Sequence, residues 1–331
     1  MKKTFRALLA TKKSDIHSCD FTDIAVIDLP DGDVRVKVTH SSLNYKDAMA
    51  IMGTGKIIKN YPMIPGVDLS GTVLESRSNL FKPGDEIIHT GWFAGEHTWG
   101  GFTELSSLNS ENIILMPKGL DPYKAMAIGS AGLTSMLCVM ALEEQGITPN
   151  SGKILVTGAG GGVGGYAVAI LAGLGYEVTA VTGKEKDIAH LMELGAKNVI
   201  MRKEFEVDAK SLEKRLWAGA IDTVGGKVLA KILPQMDYGA TVAATGLTGG
   251  SELNTTVFPF ILRAVKLVGV EVTVCPTAIR KSAWERLANE LPVSVYESMT
   301  NEIPFNQLPD YAKKLLSGNV TGRIVINITS D

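Results

Sequence analysis

From Phe5 to about Pro117, apolar and polar positions alternate in short runs such as VRVKVTH and EIIHTGW. Period-two alternation puts one face of each run inside and the other outside, as half-buried strands require. LPDGD, IPG, KPGDE and WGG break the runs with residues that favour turns, so this stretch is expected to be a β domain. After Asp121 the period changes. AMAIGSAGLTSMLCVMALEEQG reads as a long helix rich in small residues, followed by the loop GITPNSGK. Then ILVTG reads as a strand, GGYAVAILAGLG as a helix, EVTAVTG as a strand and EKDIAHLMELGA as a helix ending at Gly195. NVIMR, AGAIDTV, ATVAATG and LVGVEV continue the strands. This alternation predicts an open, doubly wound parallel sheet in an α/β domain. The tail IPFNQLPDYAKKLLSGNVTGRIVINI holds a helix and an alternating, partly polar strand, which is assigned back to the first domain. No internal repeat or low-complexity segment interrupts the pattern.

Composition adds limits. The 331 residues suffice for about two domains. With 45% hydrophobic and 21% charged residues, a packed core is expected and wholesale disorder is not. A net charge of −2 lacks the basic excess of a nucleic-acid binder. The apolar run in MKKTFRALLATKK stops after ALLA, short of the roughly 7–15 residues of a signal-peptide core. No uninterrupted apolar stretch approaches the ~20 residues of a membrane span. Cys19, Cys138 and Cys275 lie far apart, without the spacing of a disulfide framework or zinc knuckle. The expectation is a reduced, cytoplasmic, soluble protein with no nucleic-acid or membrane partner.

The candidate chemistry begins at VTGAGGGVGG (156–165), between a strand and a helix opening at Val163. Glycines there allow a tight turn, close approach of backbone to a pyrophosphate, and close packing of helix on sheet. Two registers fit, Gly160-x-Gly162-x-x-Gly165 or Ala159 with Gly162 and Gly165. An ordinary tight turn would carry the same glycines, but a full βαβ unit makes dinucleotide binding the stronger reading. Gly160, Gly161, Gly162, Val163 and Gly164 are the candidates. An NAD site usually places Asp or Glu at the end of the next strand, about 20 residues on. Here that strand ends in Thr182, Gly183 and Lys184, with Lys186 near and Arg202 after the third strand. These cations either meet the 2′-phosphate of NADPH or are solvated surface charges. NADPH is the expected cofactor.

Taken together, SSLNYKDAMAIMG, YPMIPGVDLSGTV, KPGDEIIHTGW, WGGFTE, IGSAGLTSMLCVMALE, VTGAGGGVGG, LWAGAIDTVGG and TTVFPFILRAVKLVGV resemble a family. The chain looks like the zinc-free medium-chain dehydrogenase/reductases, the quinone-oxidoreductase-like group, and within them the bacterial acrylyl-CoA reductases. The resemblance implies a GroES-like β-barrel catalytic domain (1–124 and 297–331) around a Rossmann NADPH-binding domain (125–296). Zinc-dependent relatives carry Gly-His-Glu where this chain has Gly66-Val67-Asp68, and a cysteine ligand where SSLNYKD stands. Their lobe of four close cysteines is also missing. His89 and His97 flank WFAGE, yet two histidines without a thiolate or clear third ligand make a poor zinc site, so no metal is expected. Neither Cys138 nor Cys275 has an identifiable histidine partner for nucleophilic catalysis.

What remains is hydride transfer in a shaped pocket, with the cofactor carrying the difficult chemistry. Reduction of an alkene conjugated to a carbonyl suits such a site, because one or two donors suffice to hold the enolate. Leu43-Asn44-Tyr45-Lys46-Asp47 offers the candidates. Tyr45 contacts the nicotinamide or donates to substrate, Asn44 donates to the carbonyl, and Asp47 orients Lys46 or Tyr45. As a plain turn, the same stretch would cap backbone groups and pack its tyrosine. The resemblance adds Leu247 and Ile261 beside the nicotinamide, and Asn319 and Arg323 closing over the cofactor. It also implies a short enoyl-CoA substrate, acrylyl-CoA in particular, with a quinone or free enone as the alternative. A nucleotide-binding protein with little turnover is a further possibility, opposed by the intact glycines and NYKD. Lys56, Lys59, Arg263 and Lys266 are available for the CoA 3′-phosphate. The apolar, β-rich end of VFPFILRAVKLVGVEV points to a homodimer paired at a sheet edge.

Overall fold

The structure, a computed structural model, describes residues 3–330. Its chain forms two compact units. The first comprises the described residues up to Ser130, Thr273–Lys281, and those from Tyr296 onward; the second comprises Ala131–Val272 and Ser282–Val295.

In the first unit, β1 (Thr4–Lys13) and β2 (Ile16–Ala25) form an antiparallel hairpin. Its two turn residues, Ser14 and Asp15, have φ of 46° and 65°, the left-handed geometry that suits two-residue hairpins. β3 (Val34–Leu43) leads through Asn44 into α1 (Tyr45–Met52). β4 (Asp68–Ser76), β5 (Glu86–Thr90), β6 (Leu105–Leu108) and β7 (Ile114–Leu115) follow. The sequence pattern read the start of α1 as a turn. The helix forms because the Asp47 carboxylate accepts the Asn44 N–H at 2.8 Å, half of a capping box. α2 (Pro122–Glu144) starts in this unit, with non-helical Gly129 (φ 51°, ψ −160°) inside it. It is long and apolar enough to span a membrane, but 89% of its apolar window is buried, which marks a core helix.

The second unit holds β8 (Lys153–Val156), α3 (Gly162–Gly173), β9 (Glu177–Thr182), α4 (Ile188–Glu193), β10 (Asn198–Met201) and β11 (Trp217–Asp222). It continues with α5 (Gly226–Ile232), β12 (Met236–Ala244), α6 (Phe258–Arg263) and β13 (Lys266–Gly269). All strand pairs are parallel, in the order β10-β9-β8-β11-β12-β13, which is the Rossmann order. The strands are mostly apolar where buried, with Thr179, Thr182, Asp222 and Thr241 as buried polar exceptions.

Further on come α7 (Thr277–Glu290), α8 (Val293–Met299), β14 (Thr300–Pro304), α9 (Leu308–Leu316) and β15 (Arg323–Asn327). β15 pairs antiparallel with β3, so the tail strand belongs to the first sheet, ordered β14-β15-β3-β4-β5-β7 with β6 also on β3. This is a GroES-like unit joined to a Rossmann-type one. The boundaries differ from the sequence expectation in two places. The first unit extends to Ser130, because the Ser130 N–H and hydroxyl both donate to Asp68. It also reclaims 273–281, where fully buried Arg280 donates to the Thr90 carbonyl and hydroxyl and to the Thr273 carbonyl.

Candidate active site

In the first unit, a buried polar network gathers at the end of β3 and the start of α1. Asp68, fully buried, accepts hydrogen bonds from the Ser42 hydroxyl (2.7 Å), the Asn44 amide (2.9 Å) and the Ser130 N–H (2.9 Å). The second hydrogen of the Asn44 amide goes to Asp47 at 3.0 Å, and its carbonyl oxygen accepts from Arg323 at 2.9 Å. Arg323 also donates to the Ser42 hydroxyl at 2.9 Å and the Ala127 carbonyl at 3.2 Å, and lies 4.0 Å from the Asp68 carboxylate. Gly129 makes room for this. A Cβ there would stand 2.6 Å from Arg323, 2.8 Å from Asp68 and 2.8 Å from Ser42, at a φ of 51° that side chains disfavour.

These bonds revise three expected roles. Asn44 has both amide hydrogens engaged, so it is not a free donor for a substrate carbonyl. Asp47 is 2% exposed and turns to the Asn44 N–H and amide and the Val67 N–H, whereas Lys46 pairs with Glu96 at 2.9 Å. Asp47 therefore orients Asn44 and not Lys46. Burial and the Asp68 charge push its carboxyl up to about 7, against the pull of the N–H donors. Arg323, 4% exposed and expected over the cofactor, is here a clamp inside the network. Tyr45, 56% exposed in the first turn of α1, is presented outward, as is Lys46, whose ammonium is taken by Glu96.

The glycine-rich loop of the second unit runs from β8 into α3. Gly161 is the N-cap and offers no side-chain cap to the first-turn N–H groups, the arrangement at which helices bind anions. A Cβ at Gly164 would stand 2.4 Å from the Gly158 carbonyl, so only glycine allows α3 to sit this close to the loop. At the tip of β9, buried Thr182 donates to Asp187 at 2.9 Å and accepts from the Lys184 N–H at 3.2 Å, so its hydroxyl holds the turn. The Arg202 guanidinium lies over Gly183, its carbon 3.0 Å from where a Cβ would stand. Its Nε donates to Glu206 at 2.8 Å. Gly183, Lys184 and Arg202 thus come together at one solvent-facing turn. Asp187 is a carboxylate that the sequence reading missed. Its Oδ2 would stand 2.2 Å from a Cβ at Gly160, yet it points inward at Thr182.

Ala244, Thr245, Gly246 and Leu247 line a crevice with Gly269, Val270 and Glu271 at the carboxyl ends of β12 and β13. Ligands of open α/β sheets bind outside such strand ends. Leu247 and Ile261 are 70% and 67% exposed, and Asn319 is exposed in the first unit with its amide on the Ser317 hydroxyl. Among the four suggested phosphate cations, Arg263 is unavailable: it is 9% exposed and donates to the Pro234, Met236 and Glu213 carbonyls. Buried His89 is pushed down to about 4 by burial and by Arg280. Among the described residues, no group of three metal-ligating side chains forms. Asp68, Ser42 and Ser130 escaped the sequence reading as site residues, since their partners lie 26 and 62 positions away.

Residues 30–118 match the alcohol dehydrogenase GroES-like domain model, and residues 162–289 match the zinc-binding dehydrogenase model. The acrylyl-CoA reductase AcuI of Ruegeria pomeroyi is 44% identical over 98% of this chain and all of its own. The crystal structure of the yhdH oxidoreductase from Salmonella enterica in complex with NADP superposes with a TM-score of 0.96 at 48% identity, covering 98% of this chain and 100% of that one. The Bacillus subtilis protein yhfP, solved with NAD bound, has a TM-score of 0.96 at 39% identity, covering 99% and 100%.

Proposed function

We propose, for a chain that belongs to the medium-chain dehydrogenase/reductase family, NADPH-dependent reduction of the carbon–carbon double bond of a short 2-enoyl-CoA, acrylyl-CoA above all. The observation that carries the cofactor choice is the turn after β9. The strand end itself, Thr182-Gly183-Lys184, carries no carboxylate for a ribose hydroxyl, exposed Glu185 coming only after Lys184, and the turn sets the Arg202 guanidinium over Gly183. The Gly160–Gly164 segment and the N–H groups at the start of α3 hold the pyrophosphate. Leu247 and Ile261 border the nicotinamide end. When bound, NADPH supplies a hydride, which adds to the β-carbon of the conjugated thioester.

The chain's own task is to hold the charge that then grows on the thioester oxygen. Tyr45 is the donor for it, because its hydroxyl is presented outward while the neighbouring polar groups are engaged with one another. Asn44 and Asp47 act as positioning residues that fix the first turn of α1. The first unit carries the substrate and the second the cofactor. We further propose a cytoplasmic homodimer. Edge strand β13 has exposed Leu267 beside Val257, Phe258, Ile261 and Leu262, an apolar edge that a second copy would cover. The test is NADPH oxidation by purified protein with acrylyl-CoA, crotonyl-CoA and a simple quinone in parallel. Faster turnover of the quinone than of either thioester would replace this substrate with the competing one.

A further inference from the structure

Two loops of the first unit, 53–62 and 91–98, meet beside α1 at Glu96. The Glu96 carbonyl accepts the Lys59 N–H at 2.9 Å, and its carboxylate takes the Lys46 ammonium at 2.9 Å. Lys46 is thereby neutralised, and Lys56 and Lys59 remain as exposed cations on the same rim. Lys59 Nζ spends one hydrogen on the Lys56 carbonyl, which ties the two lysines together at 2.6 Å. Beside them the chain holds two consecutive bulky residues in the left-handed region, Trp92 at φ 51° and Phe93 at φ 57°. Bulky side chains rarely adopt that geometry, and such strain gathers at functional sites.

Backbone bonds hold the strained turn in place. The Phe93 carbonyl accepts the N–H groups of Glu96 and His97, both at 3.0 Å, and the Trp92 N–H donates to the Thr273 carbonyl at 2.8 Å. The result is a Phe93 ring left 41% exposed, with the exposed His97 ring edge-on to it at 5.2 Å. An exposed aromatic ring on one loop and two exposed lysines on the loop bonded to it fit an adenine ring and its phosphates. Any base can stack on the ring, and lysines serve phosphate oxygens as point charges.

We propose that Phe93, Lys56 and Lys59 form the binding site for the adenosine 3′-phosphate 5′-diphosphate end of CoA. This rests on the enoyl-CoA reading above and gives that substrate its anchoring site. Lys46, in the same first helical turn as Tyr45, ties that turn to the rim through Glu96. The thioester and the nucleotide are the two ends of one substrate, and one helix turn serves both.

The test has two parts. First, adenosine 3′,5′-bisphosphate is titrated calorimetrically into protein saturated with NADPH, so that the dinucleotide site is already filled. Lys56→Ala/Lys59→Ala should weaken binding about tenfold or more, as loss of charge-assisted phosphate bonds does. Phe93→Leu, which keeps bulk and removes the π face, should weaken it several-fold. Second, kcat/KM is compared between acrylyl-CoA and the acrylyl thioester of pantetheine, which lacks the nucleotide. The double variant should lower the ratio of the two about tenfold. An unchanged ratio with unchanged bisphosphate affinity overturns the site, as does loss of bisphosphate affinity with an unchanged ratio. If the wild-type protein reduces neither thioester, the reaction is misassigned, and the titration still decides the rim.

Discussion

Replacing Arg202 by Ala isolates the interaction on which the cofactor choice depends. Its side chain is 48% exposed and its Nε is occupied by Glu206, which leaves the Nη edge over Gly183 for a phosphate. A hydrogen bond to a charged group contributes about 1.5–3 kcal/mol to stability when well shielded. Exposure at this level trims that to about 1–2 kcal/mol. Loosening the pair with Glu206 on binding subtracts ~0.3–0.5 kcal/mol, the value of an i,i+4 pair. The net is about 1–1.5 kcal/mol, or roughly 5–15-fold in the NADPH dissociation constant. Adding Lys184→Ala should take the loss to about 50-fold or more, with NADH affinity changed less than about twofold. Fluorescence titration with both cofactors measures this. Equal weakening of NADPH and NADH would show that the turn supports the fold and does not read the 2′-phosphate.

Gly129→Ala forces a Cβ against Arg323, Asp68 and Ser42 at a left-handed φ, and should cost about 3 kcal/mol or more of stability in chemical unfolding; a cost below 1 kcal/mol would refute the packing argument. Tyr45→Phe should lower kcat/KM for acrylyl-CoA by on the order of 10²-fold while the NADPH dissociation constant holds, and wild-type turnover would move the donor elsewhere. Asp47 is raised to about 7 in the fold against an ordinary 3.8, so its favourable contribution is present below 3.8 and lost as pH rises through 7. Wild type should therefore lose stability relative to Asp47→Asn across that range, and parallel curves would contradict it. His89, lowered to about 4 from 6.5, has the opposite sign: its contribution is present above 6.5 and lost as pH falls towards 4. His89→Gln should flatten that acid limb.

What could be read from the sequence was local. The loop 156–165, the strands on either side and the carboxylate-free tip of β9 are determined within about 50 positions, by glycine spacing and apolar runs. The turn before Tyr45 hid a helix whose own signal, Asn44 three residues before Asp47, was in view. The network around Asp68 was not, because Arg323 reaches Asn44 across 279 positions and only the folded sheet pairs β15 with β3. The same limit misjudged Arg263. Nothing in FILRAVK distinguishes an exposed cation from one that donates to the Pro234, Met236 and Glu213 carbonyls. The strain at Trp92 and Phe93 likewise has no local signature, since neither residue type favours a positive φ.

In the proposed reaction, hydride passes from NADPH to the β-carbon of an enoyl-CoA. The direct test is turnover of acrylyl-CoA with NADPH deuterated at the transferring position, followed by mass spectrometry and NMR of the product. The expected product is propionyl-CoA carrying one deuterium at the β-carbon and a solvent proton at the α-carbon, because conjugation makes the β-carbon electrophilic and puts the charge on the thioester oxygen. Deuterium at the α-carbon, or no saturated thioester while a quinone is reduced, would contradict it.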